Sequence, residues 1–266
     1  RYDLTGILSP GKHTLLLQVD NTVKDIDPGE NSHSISDHTQ GNWNGIIGEI
    51  SLRMKPRLNI SRADIYPDAD NHSVTVKTVV MNRKDKNSEA VISMKVGKDR
   101  MEKSVRLKPG MNELEMTLRM TGRMKKWDEF NPNLYKLEMM IKDNEDKSRH
   151  IWTEKFGFRD FRVTDGKLTI NGRRVFLRGT LDCAAYPLTG YPPTDRESWK
   201  KVFSACKAHG LNHVRFHSWC PPEAAFDVAD EMGLYLEIEC SSWANQSVTL
   251  GDGLPVVLYM KKVSVL

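Results

Sequence analysis

The sequence is short of three things, and each absence removes a class of protein. There are four cysteines among 266 residues, Cys183, Cys206, Cys220 and Cys240, and no C-x-x-C pair. A zinc site would need tighter spacing and a disulfide would need secretion, so free, buried thiols are expected and no cofactor or metal is implied. No apolar run approaches the roughly 18 residues of a membrane span, so no membrane partner is expected. Neither sign of charge dominates: 39 basic and 35 acidic residues leave a formal net charge of +4. Such a balance carries no nucleic-acid footprint. The opening RYDLTGILSP has no Met and no signal-peptide pattern, and it reads as the continuation of something longer.

What is present is a globular composition, 39% hydrophobic and 28% charged, in a chain long enough for several domains. Residues 1–56 read as strands KHTLLLQVDN and GEISLRMKP around a polar loop, the C-terminal part of a jelly-roll β-sandwich. Residues 57–161 read as about seven alternating strands, an immunoglobulin-like sandwich. Val74, Val76, Thr78 and Val80 share one face; so do Leu114, Met116, Leu118 and Met120, and Tyr135, Leu137, Met139 and Ile141.

Residues 162–266 change period. A hairpin turning at Asn171-Gly172 leads into a strand ending near Asp182. The helix TDRESWKKVFSACKAHG follows, with a capping box of Thr194 and Glu197 and an apolar stripe of Trp199, Val202, Phe203 and Cys206. Strand LNHVRFHSW, helix PEAAFDVADEMG and strand LYLEIE complete a β-α-β-α-β run, the start of a parallel α/β fold. Strand alternation places Arg178, Thr180 and Asp182 on the interior face, together with His213, Arg215, His217 and Trp219, and with Tyr235, Glu237 and Glu239. Unpaired, such charges would cost several kcal/mol each to bury. They form either an ion-pair network that holds the fold or a polar, sugar-sized pocket with Trp219 or Trp243 for stacking. The pocket is the favoured reading.

The order of domains, and the stretches NWNGIIGEISLR, NPNLYKLEM, FGFRDFRVTDGKLTINGRRVFLRGT and GLNHVRFHSWCPPEAAFDVADEMGLYLEIE, resemble glycoside hydrolase family 2, the β-galactosidase and β-glucuronidase family. The resemblance implies a jelly roll, an immunoglobulin-like sandwich and the N-terminal part of a (β/α)8 TIM barrel, acting in carbohydrate metabolism on β-glycosides with retention. Arg215 matches the arginine that members place beside the nucleophile. His217 sits one position earlier than the usual histidine. Asp182 occupies a substrate-proximal position, although LDCAAYPLTGYPP replaces the usual Asn-x-His. His38 and Gln40 resemble a jelly-roll loop reaching the sugar. Substrate contacts are therefore expected from Arg215, His217, Trp219, Asp182, Glu239, Trp243, His38 and Gln40. A periplasmic or extracellular location and a homo-oligomer are compatible with the family.

The family's two catalytic glutamates follow the fourth and seventh barrel strands, and neither has a counterpart here. No Asn-Glu pair follows Glu239; Asn112-Glu113 and Asn144-Glu145 lie in the sandwich. The chain thus reads as a catalytically silent fragment. From about Val257 it reads as out of frame, since one choice of codons for Tyr259–Leu266, TAT ATG AAG AAA GTG AGC GTA TTA, read one base back gives Tyr-Glu-Glu-Ser-Glu-Arg-Ile, a better helix start. The alternatives are a non-catalytic carbohydrate-binding protein, and an interaction module that pairs through an open strand edge.

Overall fold

The computed structural model describes residues 2–20 and 45–239. Seven antiparallel strands come first: β1 (Leu58–Asp68), β2 (Ser73–Asn82), β3 (Ser88–Val96), β4 (Asp99–Leu107), β5 (Gly110–Arg119), β6 (Tyr135–Asp143) and β7 (Arg149–Phe156). They form two sheets, ordered β1-β2-β5 and β4-β3-β6-β7. The period-two patterns place their apolar residues between the sheets. Val74, Val76, Val80, Leu137, Met139 and Ile141 are fully buried, as are Ile92 and Met94, the ladder partners of Ile141 and Met139. At about 1.5–3 kcal/mol for each large apolar side chain, this stripe is what makes the sandwich stable. Lys84, in the connection from β2 to β3, makes a buried ion pair with Asp143 at the end of β6, Nζ to Oδ2 at 2.5 Å.

The period changes after β7. β8 (Phe161–Thr164), β9 (Lys167–Ile170) and β10 (Arg173–Arg174) make a three-stranded ribbon. Its second turn is the expected Asn171-Gly172, with φ of 52° and 78°, both in the region a type I′ hairpin requires. Its first turn, Asp165-Gly166, has the same signature.

The last described part is a parallel sheet ordered β11 (Gly179–Asp182), β12 (His213–Phe216) and β13 (Tyr235–Ile238). Between these strands run α1 (Arg196–Ala208) and α2 (Glu223–Met232). Trp199, Phe203 and Cys206 bury the inner stripe of α1, whereas Val202 lies at its margin, 36% exposed. The cap of α1 is Asp195, whose carboxylate accepts from Ser198 N–H. It displaces the expected Thr194 because it stands three residues before that N–H, the spacing a capping oxygen needs. α2 ends where expected, on Gly233 with φ 72°.

Two readings are corrected at the N-terminal side. Residues 12–20 and 48–56 carry no strand. A strand needs a ladder partner for its backbone groups, and none is provided among the described residues. Leu15, Leu16 and Leu52 are accordingly exposed.

The loop between β5 and β6 joins the sandwich to the parallel unit. Trp127 Nε1 donates to Asp230 O at 2.7 Å, and Tyr235 Oη donates to Glu129 Oε2 at 2.5 Å. Burial and the neighbouring Glu129 carboxylate push the Tyr235 hydroxyl up, so it remains a donor. Lys207 Nζ adds bonds to Glu129 O and Gly233 O. Gly233 is required twice, for its left-handed backbone and because a Cβ there would stand 2.7 Å from Glu129 O. Gly233→Ala is expected to lower stability by about 3 kcal/mol, combining the left-handed backbone penalty with the clash. Urea unfolding of the 266-residue chain checks this, and an unchanged midpoint would refute the close approach.

Candidate functional site

The parallel register determines which side chains meet. Leu181 pairs with Arg215 and Arg215 with Glu237, while Asp182 pairs with Phe216 and Phe216 with Ile238. Paired residues of a parallel ladder point to the same side of the sheet. Leu181, Arg215 and Glu237 therefore share the face away from the helices, and all three are exposed. Val214 and Phe216 point into the helix-side core.

This register corrects two expected site residues. Asp182 lies on the helix side, one residue out of phase with Arg215. Its carboxylate accepts from Ala184 N–H at 2.8 Å and Tyr186 Oη at 3.0 Å, shaping the loop after β11. Trp219 is only 2% exposed. It packs edge-on against Phe216 and Tyr186, with ring centroids at 5.2 and 6.1 Å, and donates from Nε1 to Asp182 O. The reason is that β12 stops at Phe216. Ser218 turns the chain with φ 58°, so strand alternation no longer governs Trp219, and its large apolar surface goes to the core. A buried ring of this kind cannot stack on a ligand.

Three expected residues do converge. Glu239, just beyond β13, accepts from Arg215 Nε on Oε1 at 2.5 Å. Its Oε2 meets His217 Nδ1 at 2.7 Å and Ser218 N–H at 2.8 Å. A second, outer pair flanks them: Glu237 lies 3.6 Å from Arg215 and 3.4 Å from His213. Ser218 N–H, His213 and Glu237 were not among the expected contacts. The alternation that singles out Arg215 also singles out His213 and Glu237, whereas no sequence pattern announces the turn at Ser218. Trp243, His38 and Gln40 lie outside the described residues, as does the segment from Val257. Of the cysteines, Cys183, Cys206 and Cys220 are free, and Cys240 is outside the described residues.

The electrostatics of Glu239 limit its chemistry. Burial by itself would raise its pKa, but the bonds from His217, Ser218 N–H and Arg215 outweigh burial and hold it down at about 2. A general acid needs a carboxyl raised toward neutrality. Glu239 stays ionised and serves as an acceptor. Burial also lowers the His213 pKa, opposed by Glu237 and reinforced by Arg215.

A carboxylate depressed from 4.5 to about 2 in the folded state stabilises fully above the ordinary value. That contribution fades as pH falls toward the folded value, and one unit is worth about 1.4 kcal/mol. The wild-type advantage over Glu239→Gln is therefore expected to reach at most about 3 kcal/mol at pH 7 and to shrink between pH 4.5 and 2. Urea midpoints across that window measure it; a gap independent of pH would contradict the assignment.

Residues 58–159 match the family model Glycosyl hydrolases family 2. Beta-galactosidase BgaC of Bifidobacterium adolescentis is 31% identical over 135 residues, covering 48% of this chain and 13% of that protein. A beta-galactosidase of Priestia megaterium is 22% identical over 88% of this chain and 23% of its own length. A putative beta-glucuronidase of Formosa agariphila is 24% identical over 88% and 28%, respectively. The chain thus spans 13% to 28% of the length of these relatives. Among solved structures, the GH2 beta-galacturonidase from Eisenbergiella tayi bound to galacturonate aligns with TM-score 0.67 at 17% identity, over 84% of this chain and 40% of that one. Bacteroides uniformis beta-glucuronidase aligns with TM-score 0.63 at 17% identity, over 74% and 26%. At that identity the likeness is one of fold.

Proposed function

We infer, for a chain that belongs to glycosyl hydrolases family 2, that the described residues form the sandwich and the first barrel strands of a retaining β-glycoside hydrolase. In this reading β11, β12 and β13 begin a (β/α)8 barrel. Residues 1–56 belong to a jelly-roll domain. The observation that carries the proposal is the meeting of Arg215, His217 and Glu239 at the C-terminal ends of adjacent parallel strands, where barrels of this type build their sites.

The roles divide by chemistry. Arg215 supplies a fixed positive charge beside the reacting carboxylates, and His217 a directional polar contact to the sugar. His38, Gln40 and Trp243 add contacts from segments outside the described residues. The acid/base and the nucleophile come from barrel strands later than β13, because two carboxyls about 5 Å apart must flank the glycosidic bond. Glu237 and Glu239 do not meet that need. Glu239 is committed to donors from three residues, Arg215, His217 and Ser218, and Glu237 is paired with Arg215 and His213.

The 266-residue chain is therefore expected to release no chromophore from aryl β-galactosides, β-glucuronides or β-mannosides. Robust turnover of any of them would overturn this placement of the catalytic pair. In a longer chain that contains the later strands, Arg215→Ala is expected to reduce kcat/KM by about a hundredfold or more, the scale seen when one stabilising group is lost. Unaltered kinetics would remove Arg215 from the site.

A further inference from the structure

Glu239 gathers more donors than an ion pair requires. Arg215 brings both Nε and Nη2 to Oε1, and His217 Nδ1 and Ser218 N–H share Oε2. The two oxygens thus have separate roles, Oε1 setting the guanidinium and Oε2 setting the imidazole and the backbone. We propose that Glu239 is a positioning residue of the sugar site, which fixes the tautomer of His217 and the plane of Arg215. The proposal deepens the glycosidase reading and rests on it.

An ionised carboxylate only accepts, so the ring nitrogen facing it must carry the proton. In the neutral ring that leaves Nε2 as the lone-pair atom. A guanidinium held through Nε and one Nη loses its freedom to rotate and keeps its remaining N–H donors in a fixed plane. Ser218 contributes the third constraint. Its left-handed backbone, with φ 58°, aims its N–H at Glu239, and the residue is 1% exposed. The end of β12 is thereby locked to the end of β13.

The remaining N–H donors of Arg215, held in one plane beside an oriented imidazole, suit neighbouring hydroxyls, whose oxygens accept. The ligand class is accordingly a pyranose presenting adjacent hydroxyls. An ion pair serving stability alone would not need His217, since Arg215 already neutralises the carboxylate.

Long-range 1H–15N spectra of the 266-residue chain labelled at histidine test the assignment at pH 8. The expected His217 pattern is a protonated Nδ1 and an unprotonated Nε2. Glu239→Gln, which can no longer accept from every donor, is expected to release the ring to the Nε2–H form. Arg215→Lys leaves the Oε2 contacts in place and is expected to keep the Nδ1–H form. In a longer chain that contains the later strands, titration with galactose and glucuronic acid is expected to show about tenfold weaker binding in Glu239→Gln. An Nε2–H ring in the wild type, or an unchanged tautomer in Glu239→Gln, overturns the positioning role. The wild-type spectrum decides the point even if Glu239→Gln does not fold. A tautomer that switches as expected, with neither sugar bound by the longer chain, overturns the glycosidase reading instead.

Discussion

Glu129 sits where two separately packed cores meet, and the placement of the polar strand ends depends on it. Its side chain is 8% exposed, takes the Tyr235 hydroxyl, and lies within ion-pair reach of Arg173. Its carbonyl takes Lys207 and abuts Gly233. A buried carboxylate without these donors would be strongly unfavourable. Tyr235 is the first residue of β13, so the contact with Glu129 anchors the strand whose far end leads to Glu239. The loop from the sandwich thus seats β13, and β13 leads to the cluster. Arg159 completes the seam by lying over the Trp127 ring at 5.2 Å, a geometry that favours cation–π attraction.

At the other end of the sheet the decisive constraint is register. Three strands of four residues each offer few ladder bonds, so the apolar contacts of Phe216, Trp219, Trp199 and Phe203 decide which side faces the helices. That aromatic group draws Trp219 inward and leaves Arg215 and Glu237 outside. Asn212, itself 2% exposed, extends the ladder where backbone pairing runs out. Its side-chain oxygen accepts from Arg178 N–H and its amide donates to Phe176 O. Gly179 lets His213 lie across the neighbouring strand, for a Cβ would meet the ring.

Much of this was legible from residues alone, for identifiable reasons. Strict alternation along Ser73–Asn82 and Tyr135–Asp143 belongs to strands with one buried face, and period alone reveals it. Asn171-Gly172 and Gly233 are read through backbone chemistry that few other residues supply. The meeting of Arg215, His217 and Glu239 follows from polar residues that recur at strand ends in an otherwise apolar unit. Less legible was the phase of β11. Hydropathy turns Leu181 toward the helices and Asp182 away from them, whereas pairing with β12 gives the reverse. The fate of Trp219 was hidden for a related reason: alternation was carried past Phe216, whereas the chain turns at Ser218. The N-terminal stretches had strand-like composition, but composition does not provide a neighbouring strand.

The ribbon of β8, β9 and β10 carries one more consequence. Asn171 ties it to its own entry and to the sandwich loop: its N–H donates to Asp160 O, its Oδ1 accepts from Asp160 N–H, and its Nδ2 donates to Trp127 O. A passage braced in this way is a strut and not a tether. With Phe161 of β8 lying 5.6 Å from the Tyr235 ring and Trp127 bonded to Asp230 O, a displacement of the antiparallel half is passed through the ribbon to the parallel half.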